Sequence, residues 1–66
     1  MEWIACNKLL PKDGELVATK IDDEKGPRNE QPLSRHGRLW FMKGGDMYVY
    51  YTPTHWHPID TKGDGI

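Results

Sequence analysis

Four side chains in this chain of 66 residues are of types that could do chemistry together: Cys6, His36, His55 and His57. In an extended stretch His55-x-His57 sets two imidazoles on one side of the backbone, and zinc accepts two histidines together with a cysteine. Paired Cys-x2-Cys spacing is absent, however, and Cys6 stands far ahead of the histidines, so a structural zinc site would need the chain ends to meet. Cys6 with His55 or His57 also has the groups of a nucleophile and its base. Nothing in the neighbouring sequence activates that pair, and a catalytic pocket of about 300–1,000 Å³ is hard to spare in so short a chain. The plainer reading is preferred. Cys6 is a small buried apolar residue near Trp3, while one histidine packs beside Trp56 and the other faces water. Neither an enzyme nor a cofactor is expected, and no metal. Cys6, His55 and His57 are the ligands to examine should a metal bind.

A second constellation is aromatic. Trp40, Phe41, Tyr48, Tyr50, Tyr51 and Trp56, with Arg35, Arg38 and Lys43 nearby, have the residue types of a stacking surface for single-stranded nucleic acid. Phosphate neutralisation carries most of such affinity, yet nine Lys/Arg stand against ten Asp/Glu, a net charge of −1. Nucleic acid is therefore not the expected partner. In a small protein the aromatics are needed first for packing, and those left on an exposed face are the anchors enriched at protein interfaces. The acidic run Asp22-Asp23-Glu24, with Glu30, reads as a solvated loop rather than a patch for a basic partner.

Size sets the frame for both constellations. A chain of 7.7 kDa is one domain and buries roughly 60% of its unfolded surface. One core at that scale rarely supplies more than about 3–5 kcal/mol net. Hydrophobic residues at 36% and charged residues at 29% are the balance of a globular domain, not a disordered tail. A single cysteine rules out an intramolecular disulfide and fits a reducing cytoplasm. The opening residues MEWIACNKLLPKDGE carry no basic region before an apolar core, unlike a signal peptide, and nothing approaches the roughly 20 apolar residues of a membrane span. The initial Met1 and the absence of a tag read as a complete small gene product.

The elements that must position these residues are short and strand-like. The spacing predicts a mainly β fold: a small antiparallel sheet of three to five short strands, with one short helix or helical turn around Asn7–Leu10 as the α+β alternative. Trp3 to Cys6 is a short apolar run, and Pro11-Lys12-Asp13-Gly14 is a reverse turn. Glu15 to Ile21 alternates as a strand, with Val17, Thr19 and Ile21 on one face. From Asp22 to Gly37 the chain is polar and punctuated by prolines and glycines, which predicts a mobile loop. Arg38 to Lys43 and Met47 to Thr52, joined by Gly44-Gly45-Asp46, form the strongest hairpin signal. There Met47, Val49 and Tyr51 share one face, and Tyr48, Tyr50 and Thr52 the other. Pro53 ahead of Thr54 to Ile59 and Pro58 near its end mark an edge segment rather than a central strand. The tail over 60–66 is expected to fray.

The two ends of the chain then resemble a known family. Trp3-Ile4, Leu10-Pro11 and Asp13-Gly14, followed by Glu15-Leu16-Val17-Ala18, are similar to the W-I … L-P-x-x-G-x-x-V opening of the DUF551 family. Thr54-His55-Trp56-His57-Pro58-Ile59 is similar to that family's T-H-W-M-P-L ending. The sequence departs from the pattern at His57, where the family usually has methionine, and at Asp60, where a proline-rich tail normally follows. The family comprises short proteins of tailed bacteriophages and prophages, so the resemblance implies a phage origin and a host bacterial cytoplasm, with no catalytic residues to carry over. It also gives Trp3, Leu10, Pro11, Trp56 and Pro58 structural roles, with Trp3 and Trp56 expected in one core. The resulting expectation is a non-enzymatic phage accessory protein that binds a host bacterial protein and modulates or inhibits it. The expected contact face is Arg38, Trp40, Tyr48 and Tyr50. Alternatives are a single-stranded nucleic-acid binder using the same aromatics, and a zinc-stabilised structural module. A homodimer through an aromatic face or edge strand also fits these residues.

Overall fold

In the computed structural model, which describes residues 2–59, five strands follow one another along the chain. They are β1 (Ile4–Ala5), β2 (Leu16–Asp23), β3 (Gly26–His36), β4 (Leu39–Met42) and β5 (His55–Pro58). All pair antiparallel in a single open sheet of order β1-β5-β2-β3-β4. The protein is mainly β, as its alternating apolar pattern predicts. The fraying expected over 60–66 lies outside the described residues. Among the described residues there is no helix. Where a helical turn was the alternative, the N–H groups of Lys8 and Leu9 both donate to the Ala5 carbonyl at 3.0 and 3.2 Å. That single turn stops before Leu10, whose backbone is biased away from helix by Pro11.

The segment 22–37 is not a structureless loop but most of the long β2–β3 hairpin. Only Glu24 and Lys25 separate the two strands, and Gly26 takes a φ of 97° to close the turn. Composition misleads here because the exposed part of β3 is polar while its buried part is brief: Leu33 is fully buried and Ser34 nearly so. The register passes from Thr19↔Gln31 to Ile21↔Arg28, so Asn29 and Glu30 together face Lys20 in a bulge. Asn29 adopts a φ of 57° there, a left-handed conformation that asparagine tolerates better than most residues.

At the hairpin tip, Arg28 grips Asp23 with two hydrogen bonds of 2.8 and 3.0 Å. The Lys25 N–H adds a third at 3.0 Å. These contacts, the Arg28 guanidinium first, lower the Asp23 carboxyl from 3.8 to about 2. A carboxyl depressed in the folded state stabilises it above the unfolded value, and that stabilisation fades as pH falls from 3.8 toward about 2. Because both side chains of the pair are solvent-exposed, the effect is small. Urea midpoints at pH 5 and pH 2.5 should therefore fall slightly further apart in the wild type than in Asp23→Asn. Equal separations would remove this contact from the acid response.

Alternation along the strands sends Val17, Thr19, Leu33, Trp40 and Trp56 to one face, where they form the core, with Ile4, Cys6, Val49 and Tyr51 packed against them. Two irregular stretches of chain, not a helix, lie over this face. The first carries Pro11, whose carbonyl accepts from Arg35 Nε and Nη2 at 3.2 and 2.8 Å, and Leu9, whose carbonyl accepts from Trp56 Nε1 at 2.8 Å. The second carries Tyr51, whose hydroxyl meets Gln31 Nε2 at 2.6 Å, and Thr54, whose N–H donates to the Lys20 carbonyl at 3.0 Å. Thr54 Oγ1 also accepts the Asp22 N–H at 2.7 Å. Each stretch buries a proline completely, Pro11 or Pro53. With no N–H to satisfy, proline is the residue least costly to bury outside a ladder.

Three further expectations change. The segment at 54–59 is not an edge: β5 lies between β1 and β2, and β1 reaches only Trp56 and His55. Pro58 escapes the usual cost of proline in a sheet because it is the last residue of β5 and lies beyond the two residues that β1 pairs. The terminal segments do meet, yet Trp3 and Trp56 do not share a core. Ile4 is the residue paired with Trp56, so its neighbour Trp3 falls on the other face beside His57. Of the other structural candidates, Pro11 is buried while Leu10 and Pro58 are exposed or nearly so.

Candidate functional site

The face of the sheet opposite the core carries a row of aromatic rings at its β4 end. His36 meets Phe41 edge-on at 5.1 Å between centroids, Phe41 meets Tyr48 at 5.8 Å, and Tyr48 meets Tyr50 at 5.7 Å. Their spacing follows from the backbone. Gly44 and Gly45, both at positive φ, turn the chain after β4, and Met42 N–H then donates to the Met47 carbonyl at 2.8 Å. Only one residue pair of the expected second strand forms, Phe41↔Tyr48. At Tyr50 and Tyr51 the chain bends away over the core. The predicted division of faces holds for Val49 and Tyr51, which turn to the core, and for Tyr48 and Tyr50, 45% and 97% exposed, but Met47, expected beside Val49, stays outside the core.

Trp40 is different. At 3% exposed it belongs to the core, so it cannot be a contact residue. Its neighbour Phe41 takes the place in the row instead, as strict alternation along β4 requires. Arg38 is exposed in the two-residue turn between β3 and β4. Leu39, Met42 and Met47 extend the apolar character of this end, at 44%, 39% and 65% exposure. Phe41, His36 and Met47 lie outside the contact face that the sequence predicts, although Phe41 stands among its aromatic candidates. The signal that could have found the first two was the alternation of β4 and of the strand before it.

The remaining candidates are dispersed. His57 lies against Trp3 at 4.4 Å, and Lys20 places its ammonium 4.5 Å above the same indole while pairing with Asp22 at 3.1 Å. With Ala18, Pro32 and Ile59 these rings line a shallow groove of about 260 Å³. The His57 Nδ1 sits 2.8 Å from the Pro58 carbonyl, which can only accept, so that nitrogen carries the proton. His55 bonds Thr54 Oγ1 at 2.7 Å and lines a different, larger groove of about 580 Å³ with Cys6, Asn7, Asp22 and Pro53. The two histidines share the face of β5 opposite Trp56, but they line different grooves and are engaged by different partners. His36 is elsewhere again, within 3.4 Å of Ser34 Oγ. Among the described residues no three His, Cys, Asp or Glu side chains converge as a metal site would require. Burial raises the Cys6 thiol above its ordinary value, the opposite of what activates a nucleophile.

What the arrangement can do is present rigid aromatic edges to a flat partner. Comparison of the chain with protein-family models, with curated proteins and with solved structures finds no match.

Proposed function

We propose that this protein is a non-enzymatic bacteriophage accessory protein that binds a host bacterial protein and modulates or inhibits it by occupying a surface. The observation that carries the reading is the near-complete exposure of Tyr50 at the end of the Phe41–Tyr48–Tyr50 row. Folding alone gains nothing from holding a tyrosine in water beside exposed Tyr48, whereas such rings are the usual anchors of protein interfaces. The phage origin and the host cytoplasm rest on the resemblance of residues 3–18 and 54–59 to the DUF551 family. Stoichiometric occlusion suits a chain of this size because it needs a surface and no enclosed pocket. The contact residues are Tyr48 and Tyr50, with Phe41 supporting them and Arg38 at the adjoining turn.

The test is affinity capture from bacterial lysate at two salt concentrations, with nuclease and mass spectrometry. One host protein should be retained in stoichiometric amount through high salt and nuclease. Tyr50→Ala and Tyr48→Ala should each weaken its capture by about thirtyfold, the equivalent of about 2 kcal/mol for an interface anchor. Capture unchanged in both variants would remove this face. Retained material lost to nuclease or salt would favour the single-stranded nucleic-acid reading, whose affinity falls steeply with ionic strength.

A further inference from the structure

The two edges of the sheet are unlike. On one side β1 is only two residues long, and the Cys6 N–H that follows it is spent on the Thr54 carbonyl at 2.8 Å. On the other side the outermost stretch is Met47-Tyr48-Val49, held to β4 by two bonds. These run from Met42 N–H to the Met47 carbonyl at 2.8 Å and from Val49 N–H to the Trp40 carbonyl at 2.9 Å. That pattern makes Phe41 and Tyr48 a non-hydrogen-bonded pair, so the N–H and C=O of Tyr48 point away from the sheet. Among the described residues neither group has a hydrogen-bond partner within the chain. Natural sheets guard such an edge with lysine, proline or an inward charge. From Met47 to Thr52 the sequence offers none of these.

We infer that two copies of this chain join antiparallel at this edge about a twofold axis through Tyr48. Each Tyr48 N–H then donates to the carbonyl of the partner's Tyr48, completing both exposed groups at once, with Cα atoms about 5.5 Å apart. A second copy fits because the register is its own complement. Tyr48 faces the partner's Tyr48, and Met47 faces the partner's Val49. Charge agrees with this register. Asp46, the nearest charged residue, falls at the opposite end of the paired stretch from the partner's Asp46, so no like charges are opposed. The axis is perpendicular to the sheet, so the aromatic rows of both copies lie on one face and form a single surface of doubled length. Because the far edge has only β1 to offer, pairing stops at two and does not propagate into a fibre.

The bend at Tyr50 limits the paired stretch to a few residues, well below the roughly 1,200–2,000 Å² of a standard interface, so the dimer is weak and depends on concentration. This inference needs no host protein, and pure protein tests it apart from the proposed function. Sedimentation equilibrium from micromolar to millimolar concentration should show the mass rising from 7.7 kDa toward twice that value. Over the same range the Tyr48 amide should exchange more slowly, by about tenfold once about nine chains in ten are paired. Tyr48→Pro removes an N–H that no intrachain bond uses, and Tyr48→Lys places a guarding charge on the edge. Both should remain monomeric, and the lysine variant decides the matter if the proline variant fails to fold. A wild type that stays at 7.7 kDa throughout would overturn the inference. So would a dimer that survives Tyr48→Lys or leaves the Tyr48 amide exchanging freely.

Discussion

Trp56→Ala is expected to unfold the domain. Trp56 is 6% exposed, sits against Val17, Leu33 and Trp40, and donates its indole N–H to the Leu9 carbonyl at 2.8 Å. Truncating a buried tryptophan costs about 3–5 kcal/mol, as much as the about 3–5 kcal/mol that a core of this size rarely exceeds in all. The variant should show neither a cooperative melt nor near-ultraviolet dichroism. Trp56→Phe keeps a ring but leaves the Leu9 carbonyl without its donor, a loss of about 1–3 kcal/mol and a lowered melting temperature. Trp3→Ala provides the contrast. It removes the stacking of Lys20 and the contact with His57 on the opposite face, and a cation–π contact at such a site is worth about 0.5–1 kcal/mol. Equal melting temperatures for Trp56→Ala and the wild type would contradict the placement of Trp56 at the centre of the core.

Leu33→Ala should cost about 2–5 kcal/mol, the second large effect. Leu33 is fully buried, opposite Val17 in β2 and Met42 in β4, and so joins the two pairings that hold β3. The measurement is the urea midpoint, compared with Glu30→Ala a few residues earlier on the exposed part of the same strand. Leu33→Ala should lower the midpoint severely, and Glu30→Ala hardly at all. Were 22–37 the loop that its composition suggests, both substitutions would be nearly silent, so the pair separates a strand from a loop directly.

Legibility in the sequence tracked the source of the information. Where alternation was carried by large apolar residues, the reading was sound. Val17 and Thr19 face the core, and Tyr48 and Tyr50 face outward from Val49 and Tyr51. Where strand formation depended on a partner strand, it was not. In β3 the polar stretch Arg28 to Glu30 is drawn into register by β2, with Asn29 absorbing the extra residue. No local propensity announces that, because backbone pairing is supplied from outside the segment. Trp40 was assigned to the contact face for a related reason: a run Leu-Trp-Phe-Met is apolar on both sides, and only the neighbouring β3 decides which side is inward.

By itself, then, the sequence determined that the chain is a small β domain, that tight turns fall near Gly14 and at Gly44–Gly45, and which residues of β2 share a face. Those properties are local, set by φ preferences of glycine and proline and by the period of two along an extended chain. The tertiary structure alone decided that β5 inserts between β1 and β2, that Trp3 and Trp56 part to opposite faces, and that, among the described residues, Cys6, His55 and His57 do not converge as a metal site. It also left the Phe41–Tyr48–Tyr50 row in water. These depend on contacts between residues distant in the chain, such as Arg35 with Pro11, Trp56 with Leu9 and Thr54 with Asp22. Such contacts reward burial only after the strands have assembled, and so they leave no mark in any single stretch of sequence.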